Sequence, residues 1–120
     1  AKYKGKTVAR YLDEHNFKRV AVFGYGYVGK LIIREIEDNN GGKIEYVIDR
    51  NADYIMDEVC AYKLENSLPD VDCIIVSLVQ HEETICNILE EKTNAHVISI
   101  KKMLVGMLGK DKYAAFEINR

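Results

Sequence analysis

The sequence predicts an α/β domain built on a doubly wound, mostly parallel five-stranded sheet in the order 3-2-1-4-5. Three observations carry that prediction. Short runs rich in Val and Ile alternate with stretches whose apolar residues recur at helical spacing, the pattern of strands joined by helical crossovers. The run from Asp72 to Leu78 is almost continuously apolar instead of alternating, as a strand covered on both faces should be. A cluster of glycines stands between the first strand and the helix that follows it.

Val8, Tyr11, Leu12 and His15 share one helical face, so a short amphipathic helix is expected over Thr7 to Asn16. Arg19 to Phe23 is β-rich and ends at a glycine, the signature of the first strand. From Val28 onward, Val28, Leu31, Ile32 and Ile36 follow a helix period, and Asn39-Asn40-Gly41-Gly42 stops it. Lys43 to Ile48 is the second strand, closed by Asp49-Arg50-Asn51, and a short third is expected within Glu58 to Leu64. Leu68-Pro69-Asp70 is turn chemistry ahead of the fourth strand. Glu82 to Lys92 is a helix with acids in its first turn, where they complement the helix dipole, and Ile85, Ile88 and Leu89 on one face. His96 to Ile100 is the fifth strand, and Lys101 to Leu108 a last helix ending at Gly109.

Length and composition set the outer limits. With 120 residues the chain supports one domain, taken as 1–120, with a hydrophobic core that needs no disulfide or metal. Its 17 basic and 19 acidic residues nearly cancel, which argues against a disordered tail, a nucleic-acid arm or a membrane-surface protein. No apolar run approaches the ~20 residues of a spanning helix, and the polar start AKYKGK does not read as a signal peptide. Cys60, Cys73 and Cys86 lack zinc or redox spacing and are expected as reduced thiols of a cytoplasmic protein.

The chemistry lies in Gly24-Tyr25-Gly26-Tyr27-Val28-Gly29, a G-x-G-x-x-G between a strand and a helix, with Asp49 at the end of the next strand. The first glycine permits a tight turn, the second admits a pyrophosphate and the third allows helix and strand to pack closely. Free N–H groups at the helix start would face the anion, and Asp49 would either accept hydrogen bonds from ribose hydroxyls or serve as a strand-end turn residue. The alternative is a glycine turn kept for packing in a domain that binds no nucleotide. Asp49 repels the 2′-phosphate of NADP, whereas Arg50 beside it would tolerate one, so NAD is favoured over NADP. Tyr25 and Tyr27 either cover a ligand or are ordinary amphipathic loop residues.

At the end of the fourth strand, Ser77 would bond a phosphate or ribose. His81 is either an acid or base at the crevice or a surface residue at a helix start, while His15 and His96 are read as structural. There is no Tyr-x-x-x-Lys pair, no G-x-x-x-x-G-K-[ST] loop and no G-x-S-x-G turn, so catalytic residues stay unassigned.

Lys18 to Gly29, Tyr46 to Asp49 and Leu68 to Ser77 together resemble the small Rossmann-like domains of nucleotide-sugar and surface-polysaccharide enzymes, and are similar to the CoA-binding group. The resemblance covers residues 17–104. It implies an NAD, nucleotide-sugar or related ligand held at Gly24, Gly26, Gly29 and Asp49, in a domain attached to a glycosyltransferase, sugar-modifying transferase or dehydratase. The chain departs from nucleotide-sugar dehydratases in lacking their catalytic residues and substrate half. Its third-strand region also lacks the acidic signature of potassium-channel regulatory domains.

A binding module acting with a partner domain is therefore the leading expectation, its length matching the nucleotide-binding half alone. A small oxidoreductase or sugar-nucleotide modifying enzyme completed by dimerisation is the second, with Met103, Leu104, Val105, Met107 and Leu108 packing either on a second subunit or on the chain's own sheet. A structural or interaction domain is the third.

Overall fold

A computed structural model of the protein describes residues 7–108. The elements in chain order are α1 (Thr7–Glu14), β1 (Arg19–Phe23), α2 (Tyr27–Asp38), β2 (Lys43–Ile48), a 3-10 turn (Ala52–Tyr54), β3 (Ala61–Tyr62), β4 (Cys73–Val76), α3 (Glu82–Lys92), β5 (His96–Ser99) and α4 (Ile100–Leu108). The five strands form one all-parallel sheet in the order β3-β2-β1-β4-β5, as the alternation of strand and helix predicts. The order reverses at β1, which pairs with β2 on one side and β4 on the other.

Strand alternation divides the core between the two faces of the sheet. Val20, Val22, Val47, Cys73 and Ile75 meet Val8, Leu12, Ile32, Ile36 and Met103 of α1, α2 and α4 on one face. Ala21, Phe23, Tyr46, Ile48, Ile74 and Val76 meet Cys86 and Leu89 of α3 on the other. No helix joins β3 to β4 on that second face. Tyr46 fills part of the space, edge-on to Tyr62 with ring centroids 5.2 Å apart, and its hydroxyl donates to the Pro69 carbonyl at 2.8 Å.

The ends are set by local chemistry. The Glu35 carboxylate, reaching from α2, accepts the Ala9 N–H at 2.8 Å and caps the first turn of α1. α2 stops where Asn39 Nδ2 donates to the Glu35 carbonyl at 2.7 Å and Asn40 turns left-handed at φ 52°. Thr93 Oγ1 donates to the Leu89 carbonyl at 2.9 Å and closes α3.

Some boundaries differ from those expected. β4 ends at Val76 and not at Leu78, because its partner β1 ends opposite, at Phe23. β3 is reduced to two residues, as it pairs with β2 alone through Val47–Ala61 and Ile48–Tyr62. α4 begins directly after β5 at Ile100; its expected stop at Gly109 lies outside the described residues. Met103 is buried in the chain's own core, and Leu104 and Val105 are half-buried, whereas the side chains of Met107 and Leu108 lie outside the description. His15 and His96 join Tyr11 and Phe17 in a ring cluster between the end of α1 and the start of β5, where Tyr11 Oη and His96 Nε2 share a 3.0 Å hydrogen bond. Among the described residues, no helix is long and apolar enough to cross a membrane, and no group of three or more His, Cys, Asp or Glu is placed to hold a metal ion.

Candidate functional site

Reversal of the strand order between β1 and β4 opens a cleft beyond their carboxyl ends. Its volume is about 740 Å³, within the range of small-molecule and cofactor sites. The glycine turn and the start of α2 form one wall, the residues after β2 a second, and the segment from Ser77 to His81 a third.

Each glycine of the turn answers a different demand. Gly24 has φ +95°, and a Cβ built on it would lie 2.5 Å from Ser77 Oγ. A Cβ on Gly29 would lie 1.9 Å from the Gly24 carbonyl oxygen, so the helix and turn approach too closely for any side chain. Gly26 is unlike both. It caps α2 at φ −94°, a conformation open to any residue, and a Cβ there would meet no protein atom within 4 Å. No side chain caps the helix at Gly26. The first N–H groups of α2 therefore have neither an intrahelical acceptor nor a cap, and they carry the positive end of a 12-residue helix dipole. This is the chemistry of an anion seat.

Asp49 follows β2 and braces the turn from the opposite wall. Its Oδ2 accepts the Tyr25 N–H and its Oδ1 accepts the Asn51 N–H, each at 2.8 Å. A carboxylate has about four acceptor positions, so these two bonds fix its orientation and leave capacity for a diol. Arg50 and Asn51 are exposed and line the same wall, and Arg50 is the one Lys or Arg side chain among the lining residues.

No family model matches the chain, and no curated protein does. The functional reading therefore stands on the site itself.

The cleft brings together Gly24, Gly26, Tyr27, Val28, Gly29, Asp49, Arg50 and Ser77 of the residues singled out by sequence. Tyr27, at 79% exposure, stands at the mouth on the first turn of α2. The sequence allows two readings of Tyr25, covering a ligand or an ordinary loop residue, and its side chain is placed outside the lining of the cleft. Its main-chain N–H belongs to the site, but its side chain points away, with the hydroxyl donating to Asp57 Oδ2 and Lys30 Nζ 4.9 Å from the ring centroid. Hydrogen bonding to Asp57 and burial push its phenol up to about 12, so it remains a donor at neutral pH.

Ser77 is also placed differently from its expected role. Its buried hydroxyl directs its proton at the carbonyls of Phe23 (2.8 Å) and Gly24 (3.1 Å), which positions the turn. His81 caps α3 in the left-handed region at φ 59°, where its carbonyl accepts the Ile85 N–H at 3.0 Å and its side chain borders the cleft. Histidine is among the residues that adopt this conformation more readily than most. Asn51 and Ile85 were missed by sequence reasoning. The available signals were the Asp49-Arg50-Asn51 turn and the one-turn spacing from His81 to Ile85.

Proposed function

We propose that the chain is a nucleotide-binding module whose ligand lays a pyrophosphate against the start of α2 and a ribose against Asp49. Gly26 carries the reading. It stands bare at the mouth of the cleft, its backbone conformation suits any residue and no protein atom lies where its side chain would go, so close approach of a ligand accounts for a glycine there. The size of the cleft, its single carboxylate and the uncapped helix start support the same reading.

NAD is favoured over NADP, because the Asp49 carboxylate repels a 2′-phosphate, and a nucleotide sugar is the other ligand class. The module acts with a partner catalytic domain or a second copy, in sugar or surface-polysaccharide metabolism. It resembles the Rossmann-like domains of that chemistry on the turn, on Asp49 and on the fourth strand. A cytoplasmic location belongs to the same proposal, supported by three unpaired thiols.

Thermal unfolding with NAD, NADP, UDP-glucose and coenzyme A tests the reading. A ligand at 100 times its Kd adds about 2.7 kcal/mol and raises the midpoint clearly. Gly26→Val keeps the fold and abolishes the shift. If no compound shifts the wild type, the protein is an architectural or interaction domain and the proposal fails.

His81 favours a second reading, a small oxidoreductase or sugar-nucleotide modifying enzyme, since its side chain borders the cleft. His81→Ala would then abolish turnover with little change in ligand affinity. Unchanged turnover would remove His81 from the reaction.

A further inference from the structure

Between β2 and β3 the chain runs as a strap from Asp49 to Cys60 whose one regular feature is the 3-10 turn Ala52–Tyr54. Ile55 and Val59 pack against the core, and Lys63 Nζ reaches Asp53 at 2.8 Å. Between the strap and α2, however, lies a second cavity of about 290 Å³, lined by Tyr25, Ile33, Glu37, Asp57 and Glu58 among others.

Tyr25 spans it. Its main-chain N–H donates to Asp49 at the head of the strap, and its hydroxyl donates to Asp57 eight residues further along. We propose that Tyr25 is a positioning residue for the cleft: with its hydroxyl held by Asp57, it locks the glycine turn and the strap into one unit, so that nucleotide affinity depends on a side-chain pair facing away from the nucleotide.

The physical basis is the shared carboxylate. Asp49 is oriented by the N–H groups of Tyr25 and Asn51 together, one from the turn and one from the strap. If the turn moves relative to the strap, the carboxylate rotates and the acceptor positions left for a ribose move with it. Lys30 over the Tyr25 ring steadies the same side chain from α2. A phenylalanine would fill the same space without the bond to Asp57.

The inference rests on the nucleotide reading above, and the experiment separates the two. In the full chain, the affinities of NAD and ADP-ribose are measured by calorimetry for wild type, Tyr25→Phe, Asp57→Ala, Asp57→Asn and the Tyr25→Phe/Asp57→Ala double variant. Urea unfolding of each variant reads the fold independently.

Tyr25→Phe and Asp57→Ala should each weaken binding by about three- to tenfold, the share expected of one partly exposed hydrogen bond to a charged group. Asp57→Asn, which keeps an acceptor oxygen, should restore most of the affinity, and the double variant should be no weaker than either single one. Equal affinity in every variant, or additive losses in the double one, would overturn the lock and leave nucleotide binding intact.

A wild type that binds neither probe removes the NAD form of the reading and leaves a nucleotide sugar as the ligand class. Amide hydrogen exchange at Tyr25, Gly26 and Tyr27 then decides the lock: faster exchange in Tyr25→Phe and Asp57→Ala but not in Asp57→Asn supports it, and equal exchange in all four overturns it.

Discussion

The carbonyl oxygen of Gly24 occupies the space that a side chain on Gly29 would need, with an ideal Cβ only 1.9 Å away. That contact sets how closely α2 starts against β1, and hence where the uncapped N–H groups of the helix lie. Gly29→Ala forces a methyl group against the Gly24 main chain and should cost about 2–4 kcal/mol in urea unfolding. Gly26→Ala, with open space around the new methyl, should change stability by no more than about 1 kcal/mol. If the two substitutions cost the same, the turn has a different geometry.

Ser77 is predicted to act on the turn and not on the ligand. Ser77→Ala removes the hydroxyl that donates to the Phe23 and Gly24 carbonyls, and should lower stability by about 1 kcal/mol. The Phe23 carbonyl keeps its bond from the Ser77 N–H at 3.0 Å, so the loss falls mainly on Gly24. Ligand affinity should drop far less than in Gly26→Val, and a comparable drop would return Ser77 to direct contact.

Asp49→Asn should damage both fold and site. The amide presents one acceptor oxygen where two N–H donors, from Tyr25 and Asn51, now meet two carboxylate oxygens. One donor is left facing an NH₂ group, at a cost of about 1–3 kcal/mol by denaturant unfolding. An unchanged unfolding midpoint would show that the carboxylate does not brace the turn.

Acid should weaken the fold through His96. Burial, and then the neighbouring His15, lower its pKa from 6.5. The unfolded chain therefore takes up the proton first as the pH falls. This contribution to stability is complete above 6.5 and is lost as the pH drops through the depressed folded value. Urea midpoints between pH 8 and pH 5 should show the decline, and His96→Gln should flatten it. An equal slope in the variant would assign the effect to other groups.

Thiol chemistry should separate the cysteines. Cys73 is buried, and desolvation with Asp72 beside it pushes its thiol up to about 12; burial raises Cys86 as well. Cys60 is exposed. A thiol-specific reagent should label Cys60 alone in the native protein and all three cysteines in denaturant. Rapid native labelling of Cys73 would contradict the packing of β4.

The succession of strands and helices, their parallel order and the glycine turn at the carboxyl edge of the sheet are legible from the sequence alone. They follow from periodicity and turn chemistry, which act over a few residues and leave a regular trace. The side-chain roles within the site are a different matter. Tyr25 turns away because Asp57, 32 positions on, accepts its hydroxyl. Ser77 serves β1 because the Phe23 carbonyl, 54 positions earlier, lies within reach. Asp49 holds the turn as well as facing the cleft because the turn's N–H comes to it from 24 positions earlier. A polar side chain goes to whichever partner the fold brings within about 3 Å, and that competition is settled only when distant segments meet. The sequence by itself determined where the glycine turn and its cleft lie; the tertiary structure decided which residues line that cleft and which hold those residues in place.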